Sequence, residues 1–227
     1  MSPLTSIQSR LDSVRQSLPG GVGLVAVSKF HPVDALRQAR AAGQRLFGES
    51  RVQELAAKVA ELGTDDYCWH FIGHLQTNKV RQLLRLRPAL IESVDSVRLL
   101  EEIDREAARQ GIVQNVLMQL HVAREETKFG FSPDELLDWF ARRGFENLQA
   151  VHVCGVMGMA SNTDDQARVE ADFRAIRAAY DEILAMCPDL RGFSTVSMGM
   201  SDDYPLAVSC GSTLVRVGSA IFGPREY

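Results

Sequence analysis

"GLVAVSKF", residues 23–30, sets four apolar residues, Leu24 to Val27, ahead of a serine and a lysine. A short apolar run with no polar alternation reads as a strand buried on both faces, as strands of parallel sheets are. Seven further runs of this kind follow: "RLFGE" (45–49), "CWHFIGH" (68–74), "ALIESVD" (89–95), "QNVLMQLHV" (114–122), "LQAVHVCGVMGM" (148–159), "GFSTVSMG" (192–199) and "TLVRVGSAIFG" (213–223). Between them lie amphipathic stretches, from "PVDALRQARAA" and "VQELAAKVAEL" to the 23-residue "DDQARVEADFRAIRAAYDEILAM" and the short "DYPLAVSC". Several have chemical boundaries. Ser132, Pro133 and Glu135 form an N-cap with proline at the first helical position, and Gly43, Gly63 and Gly111 stand where helices should stop.

The order is one helix followed by eight βα units. Parallel neighbours need crossover helices that also cover the sheet. Eight units in this length predict a single (β/α)8 TIM barrel, read as one domain over 1–227, with the extra N-terminal helix against its bottom or flank. An open doubly wound sheet is the alternative, because periodicity does not show closure.

Composition narrows the function. The 227 residues are 45% hydrophobic and 24% charged with 8 prolines, as in an ordinary globular protein. A formal charge of −4 argues against general affinity for nucleic acid. No run reaches about 18 apolar residues, so no membrane span is predicted. The N-terminal stretch has the spacing of an amphipathic helix rather than the core of a signal peptide. Cys68, Cys154, Cys187 and Cys210 form no CxxC pair and read as reduced thiols of a cytoplasmic protein. His70 and His74 would share one strand face, but zinc needs further ligands that are not nearby, so no metal site is expected.

Ligands of α/β folds sit beyond the carboxyl ends of the strands. Lys29 ends the first strand there, Glu49 and Ser50 the second, and His74 the third. After the seventh and eighth strands come "SMGMSDD" and "VGSAIFG", where glycines permit close backbone approach and Ser201 and Ser219 add hydroxyls. Such runs are also what plain turns look like, but barrels often hold a phosphate at these two loops. Arg216, between Val215 and Val217, points into the barrel if the valines face the helices. Its partner would be a carboxylate such as Glu49 or Glu92, or a ligand. In a closed barrel the first and eighth strands are neighbours, which brings Lys29 beside the anion loops. A desolvated lysine there can form a Schiff base with a carbonyl, and a phosphate-bearing aldehyde points to pyridoxal 5′-phosphate. From spacing alone, a solvent-facing or salt-bridged Lys29 stays open.

At "LVAVSKFHP", "FGESRVQE", "WHFIGHLQTNK", "GVMGMAS" and "STVSMGMSDDYPLAVSCGSTLVRVGSAIFGPREY" the sequence resembles the pyridoxal phosphate homeostasis protein family, whose fold is similar to the barrel of alanine racemase (fold type III). The resemblance implies that Lys29 holds the cofactor as an aldimine. It implies that Ser201, Gly218 and Ser219 bind its phosphate, with Ser197 a secondary candidate, and that Arg216 faces the pyridine nitrogen. Ser50 stands where the family usually has asparagine, so a shorter side chain replaces an amide at that cofactor position.

Alanine racemase-like catalysis needs a second acid/base, a tyrosine brought by an additional domain. The chain runs only four residues past Gly223, so no second domain and a monomer are expected. Tyr67, Tyr180, Tyr204 and Tyr227 are scattered. The expected role is therefore to hold pyridoxal phosphate and buffer it or deliver it to dependent enzymes, without robust turnover. The alternative is a small fold type III enzyme such as an amino acid racemase, and more distantly a phosphosugar enzyme with Lys29 as its imine former. The basic segment from Lys79 through Arg81 and Arg85 to Arg87 reads as a solvated helix face, or as a surface for docking a recipient or resting a phosphate.

Overall fold

A computed structural model describes residues 6–123 and 129–224 of the chain. Eight parallel strands close on themselves in sequence order: β1 (Gly23–Val27), β2 (Leu46–Glu49), β3 (Cys68–Phe71), β4 (Leu90–Val94), β5 (Gln114–Leu120), β6 (Val151–Gly158), β7 (Thr195–Ser197) and β8 (Leu214–Val217). β1 lies against β8 with Val25 opposite Arg216 and Ala26 opposite Val217, so the sheet is closed and the open alternative is excluded.

The helices are α1 (Ile7–Ser17), α2 (Val33–Ala41), α3 (Val52–Leu62), α4 (Val80–Arg85), α5 (Val97–Arg109), α6 (Pro133–Ala141), α7 (Gln166–Met186), α8 (Tyr204–Ser209) and α9 (Ser219–Phe222). The Ser132 cap forms as a reciprocal box: Ser132 Oγ accepts from Glu135 N while the Glu135 carboxylate accepts from Ser132 N. α1 lies on the flank, where Arg10 Nε donates to Ile221 O (2.6 Å) and Arg15 to Ala42 O (2.6 Å).

Two expected runs divide. "TNKVRQLLRL" opens with a 3-10 turn over Thr77–Lys79 before α4. "TLVRVGSAIFG" is a strand only to Val217; the chain turns at Gly218 and forms the single helical turn α9, because Ile221 and Phe222 are buried by folding back beside α1. "CWHFIGH" likewise ends as a strand at Phe71, so His74 does not share the strand face of His70.

Strand alternation sorts the core into two compartments. Leu24, Ala26, Phe47, Trp69, Ile91, Val116, Val156, Val196, Val215 and Val217 point outward into the main core under the helices. Val25, Leu90, Leu117, Met157 and Leu214 form a separate apolar cluster enclosed by the strands. Such an interior is filled by side-chain layers rather than hollow. Among the described residues no helix is long and apolar enough to cross a membrane, and all four cysteines are free.

Candidate cofactor site

The layer above that interior plug is polar. Arg216 follows Leu214 by two residues, so the period of the strand turns it inward with Leu214 while Val215 and Val217 face the helices. It is 4% exposed. Its guanidinium donates to Ser197 Oγ on β7 (2.6 Å) and to Gly158 O at the end of β6 (3.0 Å), and lies 3.7 Å from Glu92 Oε2 on β4. Ser197 Oγ in turn donates to Glu92 Oε2 (2.6 Å), and the other Glu92 oxygen meets His70 Nδ1 on β3 (2.7 Å). Four strands thus contribute one buried chain, His70–Glu92–Ser197–Arg216.

The charges in this chain support one another. Burial alone would raise the Glu92 carboxyl, but the hydrogen bond and charge of His70, with Arg216 and Ser197, pull it below the ordinary value. Burial alone would lower His70, but its hydrogen bonds with Cys68 and Glu92 and the carboxylate's charge raise it to about 9. Burial pulls Arg216 below the ordinary guanidinium value against the pull of Glu92 and Asp203. An arginine nonetheless stays charged, so one buried carboxylate sits between two cationic side chains.

Of the two carboxylates considered for Arg216, Glu92 is the partner and Glu49 is not. Glu49 ends β2 pointing outward, where it accepts from Ser28 Oγ (2.6 Å) and Lys58 Nζ on α3 (2.7 Å).

The anion loops lie on the rim above. Ser201, in the turn after β7, accepts from Gly218 N (3.2 Å) and weakly from Ala220 N (3.4 Å), which joins the two loops. Arg216 N donates to Gly199 O (3.0 Å), a second tie between them. Gly218 packs against the end of β1: a Cβ there would fall 3.3 Å from Val27 O and 3.4 Å from Val27 Cβ. Ser28 and Lys29 follow Val27 directly, and Lys29 is half-buried. The closure of β1 on β8 therefore gathers Lys29, Ser201, Gly218 and the exposed Ser219 at one sector of the rim, with Arg216 in the wall below.

Two of the expected site residues lie outside this sector. Ser197 belongs to the interior chain, its hydroxyl held between Glu92 and Arg216, rather than to the anion loops; its place in a strand facing inward decides this. Ser50 lies on the next loop, after β2, lining a cavity of about 220 Å³ with Phe71, His74 and Lys79. Sequence reasoning missed His70 as a member of the interior chain, and Lys58 and Glu54 under the Lys29 turn. A signal existed for Lys58: it follows Leu55 by three residues, on the buried stripe of α3.

The donors fit pyridoxal phosphate: an amine for a carbonyl, a hydroxyl and backbone amides for a phosphate, and a guanidinium that remains a donor toward a ring nitrogen. Three tyrosines are engaged away from this sector. Tyr67 stacks on Trp69 behind β3 (5.6 Å), Tyr180 donates to Phe193 O (3.3 Å), and Tyr204 bonds Ser17 of α1 (2.8 Å). Tyr227 lies outside the described residues. Among the described residues no group of three or more His, Cys, Asp or Glu could hold a metal ion.

The family model described as "Alanine racemase, N-terminal domain" matches residues 3–226. The pyridoxal phosphate homeostasis protein of Helicobacter pylori strain J99 is 37% identical over 201 residues, 88% of this chain and 87% of that one. The human protein of the same name is 36% identical, over 90% of this chain and 77% of that one. PipY of Synechococcus elongatus, solved with PLP bound, superposes with a TM-score of 0.88 at 41% identity, covering 96% of this chain and all of that one. Alanine racemase of Clostridium difficile, at 13% identity and a TM-score of 0.74, shares the fold alone, and this chain spans 55% of it. By similarity along nearly its whole length to proteins of that name, the chain belongs to the pyridoxal phosphate homeostasis protein family.

Proposed function

We propose that this chain holds pyridoxal 5′-phosphate at the β1/β8 sector of the barrel rim and serves its homeostasis in the cytoplasm, by buffering or by delivery to dependent enzymes. The observation that carries this reading is the convergence of a half-buried lysine, two glycine/serine loops and a buried arginine, in a chain of this family. When bound, the cofactor supplies a carbonyl for covalent attachment and an electron-accepting ring.

Lys29 is the attachment residue. Its ammonium loses a proton to solvent, and the amine nitrogen is the nucleophile. Ser201, Gly218 and Ser219 hold the phosphate: the Ser201 and Ser219 hydroxyls are donors, and the phosphate would take the place of Ser201 Oγ as acceptor for the amides of Gly218 and Ala220. Arg216 keeps its own protons and would offer one as a hydrogen bond toward the ring nitrogen of the bound cofactor, an arrangement that would weaken the ring as an electron sink. Ser197 and Glu92 aim Arg216 from below. Ser50 contributes from the neighbouring loop, by its hydroxyl or through water.

A racemase would need a second acid/base opposite Lys29, and the described tyrosines are committed elsewhere. The names of the relatives likewise describe homeostasis rather than a reaction. We take 1–227 as one functional unit acting as a monomer, and Arg81 and Arg85, exposed on α4, as a solvated face.

The test is Lys29→Ala. The purified wild-type protein is expected to absorb in the visible after loading with pyridoxal phosphate, and borohydride to fix the cofactor on the peptide containing Lys29. The substitution is expected to abolish both, and an unchanged spectrum would remove the assignment.

A further inference from the structure

A second buried charged cluster lies outside the barrel wall, directly behind the turn that carries Lys29. Lys58 on α3 is 5% exposed and Glu49 on β2 is fully buried. Lys58 Nζ donates to Ser28 O (2.8 Å), Glu49 Oε1 (2.7 Å) and Glu54 Oε1 (2.8 Å), using all three of its protons. Ser28 Oγ donates to the same Glu49 oxygen (2.6 Å), and Phe30 N donates to Glu54 Oε1 (2.6 Å). The residue before Lys29 and the residue after it are therefore both held by this one cluster.

What it holds is a strained piece of backbone. Phe30 has φ of 68°, in the left-handed region that a bulky side chain avoids. His31 N turns back to Ser28 O (3.0 Å), so that carbonyl accepts from both the turn and Lys58. The Arg51 guanidinium lies over the Phe30 ring at 4.9 Å.

Stability is a poor reason for such a cluster. Glu49 Oε2 is buried with no hydrogen-bond partner, and burial pushes this carboxyl up to about 7 against the pull of Lys58 and Ser28. Buried charges of this kind are often replaced by apolar residues at no loss of stability. Strained backbone over-determined by its surroundings gathers where a side chain must be aimed.

Resting on the reading that Lys29 holds the cofactor, we propose that Lys58, with Glu49 and Glu54, is a positioning residue that fixes the Ser28–Phe30 turn so that the Lys29 amine is presented to the carbonyl above the anion loops. With its three protons committed to Ser28 O, Glu49 and Glu54, Lys58 acts through the backbone on either side of Lys29.

The experiment uses the full chain loaded with pyridoxal phosphate. Hydroxylamine strips the cofactor, and visible absorbance follows the rate, for wild type, Lys58→Met and Lys58→Arg. Lys58→Met keeps the stem and removes the charge. It is expected to be stripped about tenfold faster, the equivalent of one lost charge-assisted hydrogen bond. Its cofactor-free thermal midpoint is expected to fall as well, because Glu49 is left buried without its cation, and Lys58→Arg is expected to recover most of the retention. Glu54→Gln, at a partly buried position that still reaches Phe30 N, should be stripped faster with a thermal midpoint within a few degrees of wild type, and serves if Lys58→Met does not fold. Wild-type stripping rates in the folded variants would overturn the proposal, as would faster stripping that Lys58→Arg does not rescue. Failure of borohydride to fix the cofactor on wild-type Lys29 would instead overturn the reading of Lys29 itself.

Discussion

Glu92 is the hub of the interior chain, and Glu92→Gln tests that chain with almost no change of shape. The carboxylate is fully buried and faces His70 at 2.7 Å, Ser197 at 2.6 Å and Arg216 at 3.7 Å. The amide keeps an acceptor for one neighbour but presents an NH2 group to another that also donates, and it removes the negative charge from between two cations. Breaking a buried pair by removing one partner costs roughly 3–5 kcal/mol. Here His70 can shed its proton once the carboxylate is gone, while Arg216 retains Ser197 and Gly158 O, so the loss belongs near about 3 kcal/mol. For a chain of this size that corresponds to a fall of roughly 6–12 °C in the thermal midpoint. Urea and thermal unfolding of the cofactor-free protein measure it. The sharper arm adds Arg216→Met: with both charges removed, the double variant should be more stable than the sum of the single losses by at least about 1 kcal/mol. A Glu92→Gln variant within about 1 kcal/mol of wild type, or strict additivity, would show that Glu92 and Arg216 are not energetically coupled.

Two further predictions follow from the geometry. His70 titrates near 9 in the folded chain against an ordinary 6.5, so its protonated form is favoured by folding; that stability is fully present below about pH 6.5 and is lost as pH rises through about 9. Unfolding free energies from pH 6 to 9.5 should decline in wild type and lose most of that slope in His70→Asn; equal slopes would remove the assignment. Gly73→Ala would place a Cβ 2.1 Å from the Ser50 carbonyl oxygen, a backbone atom that cannot swing aside. We expect a loss above about 2 kcal/mol with weakened cofactor retention, and an unchanged thermal midpoint would contradict the close approach of these loops.

Much of the barrel was legible because parallel strands covered on both faces have to be apolar runs, and their crossovers have to be amphipathic. The eight runs coincide with the eight strands, and the Ser132 box caps α6 where its residues stand in sequence. The misread boundaries lie where burial and strand propensity part company. Ile221 and Phe222 are as apolar as a strand requires, yet their burial is against α1, which only the folded chain provides. Inward placement of Arg216 was readable from its flanking valines by the period of two. The choice between Glu49 and Glu92 was not, since it depends on which way each strand is rotated in the barrel.

The sequence by itself determined the element order, the chemistry at the strand ends and, through its motifs, the family. Local pattern is enough for these, because each depends on residues close together in the chain. The tertiary structure decided that β1 lies against β8, which brings Lys29 beside loops some 170 to 190 residues further on, by the numbering of Ser201 and Ser219. It also decided that His70, Glu92, Ser197 and Arg216 form one chain, and that Lys58 lies behind the lysine turn. Such pairings are fixed by register and closure, which no short stretch of sequence encodes, and in this protein they set where His70, Glu92 and Arg216 find their partners.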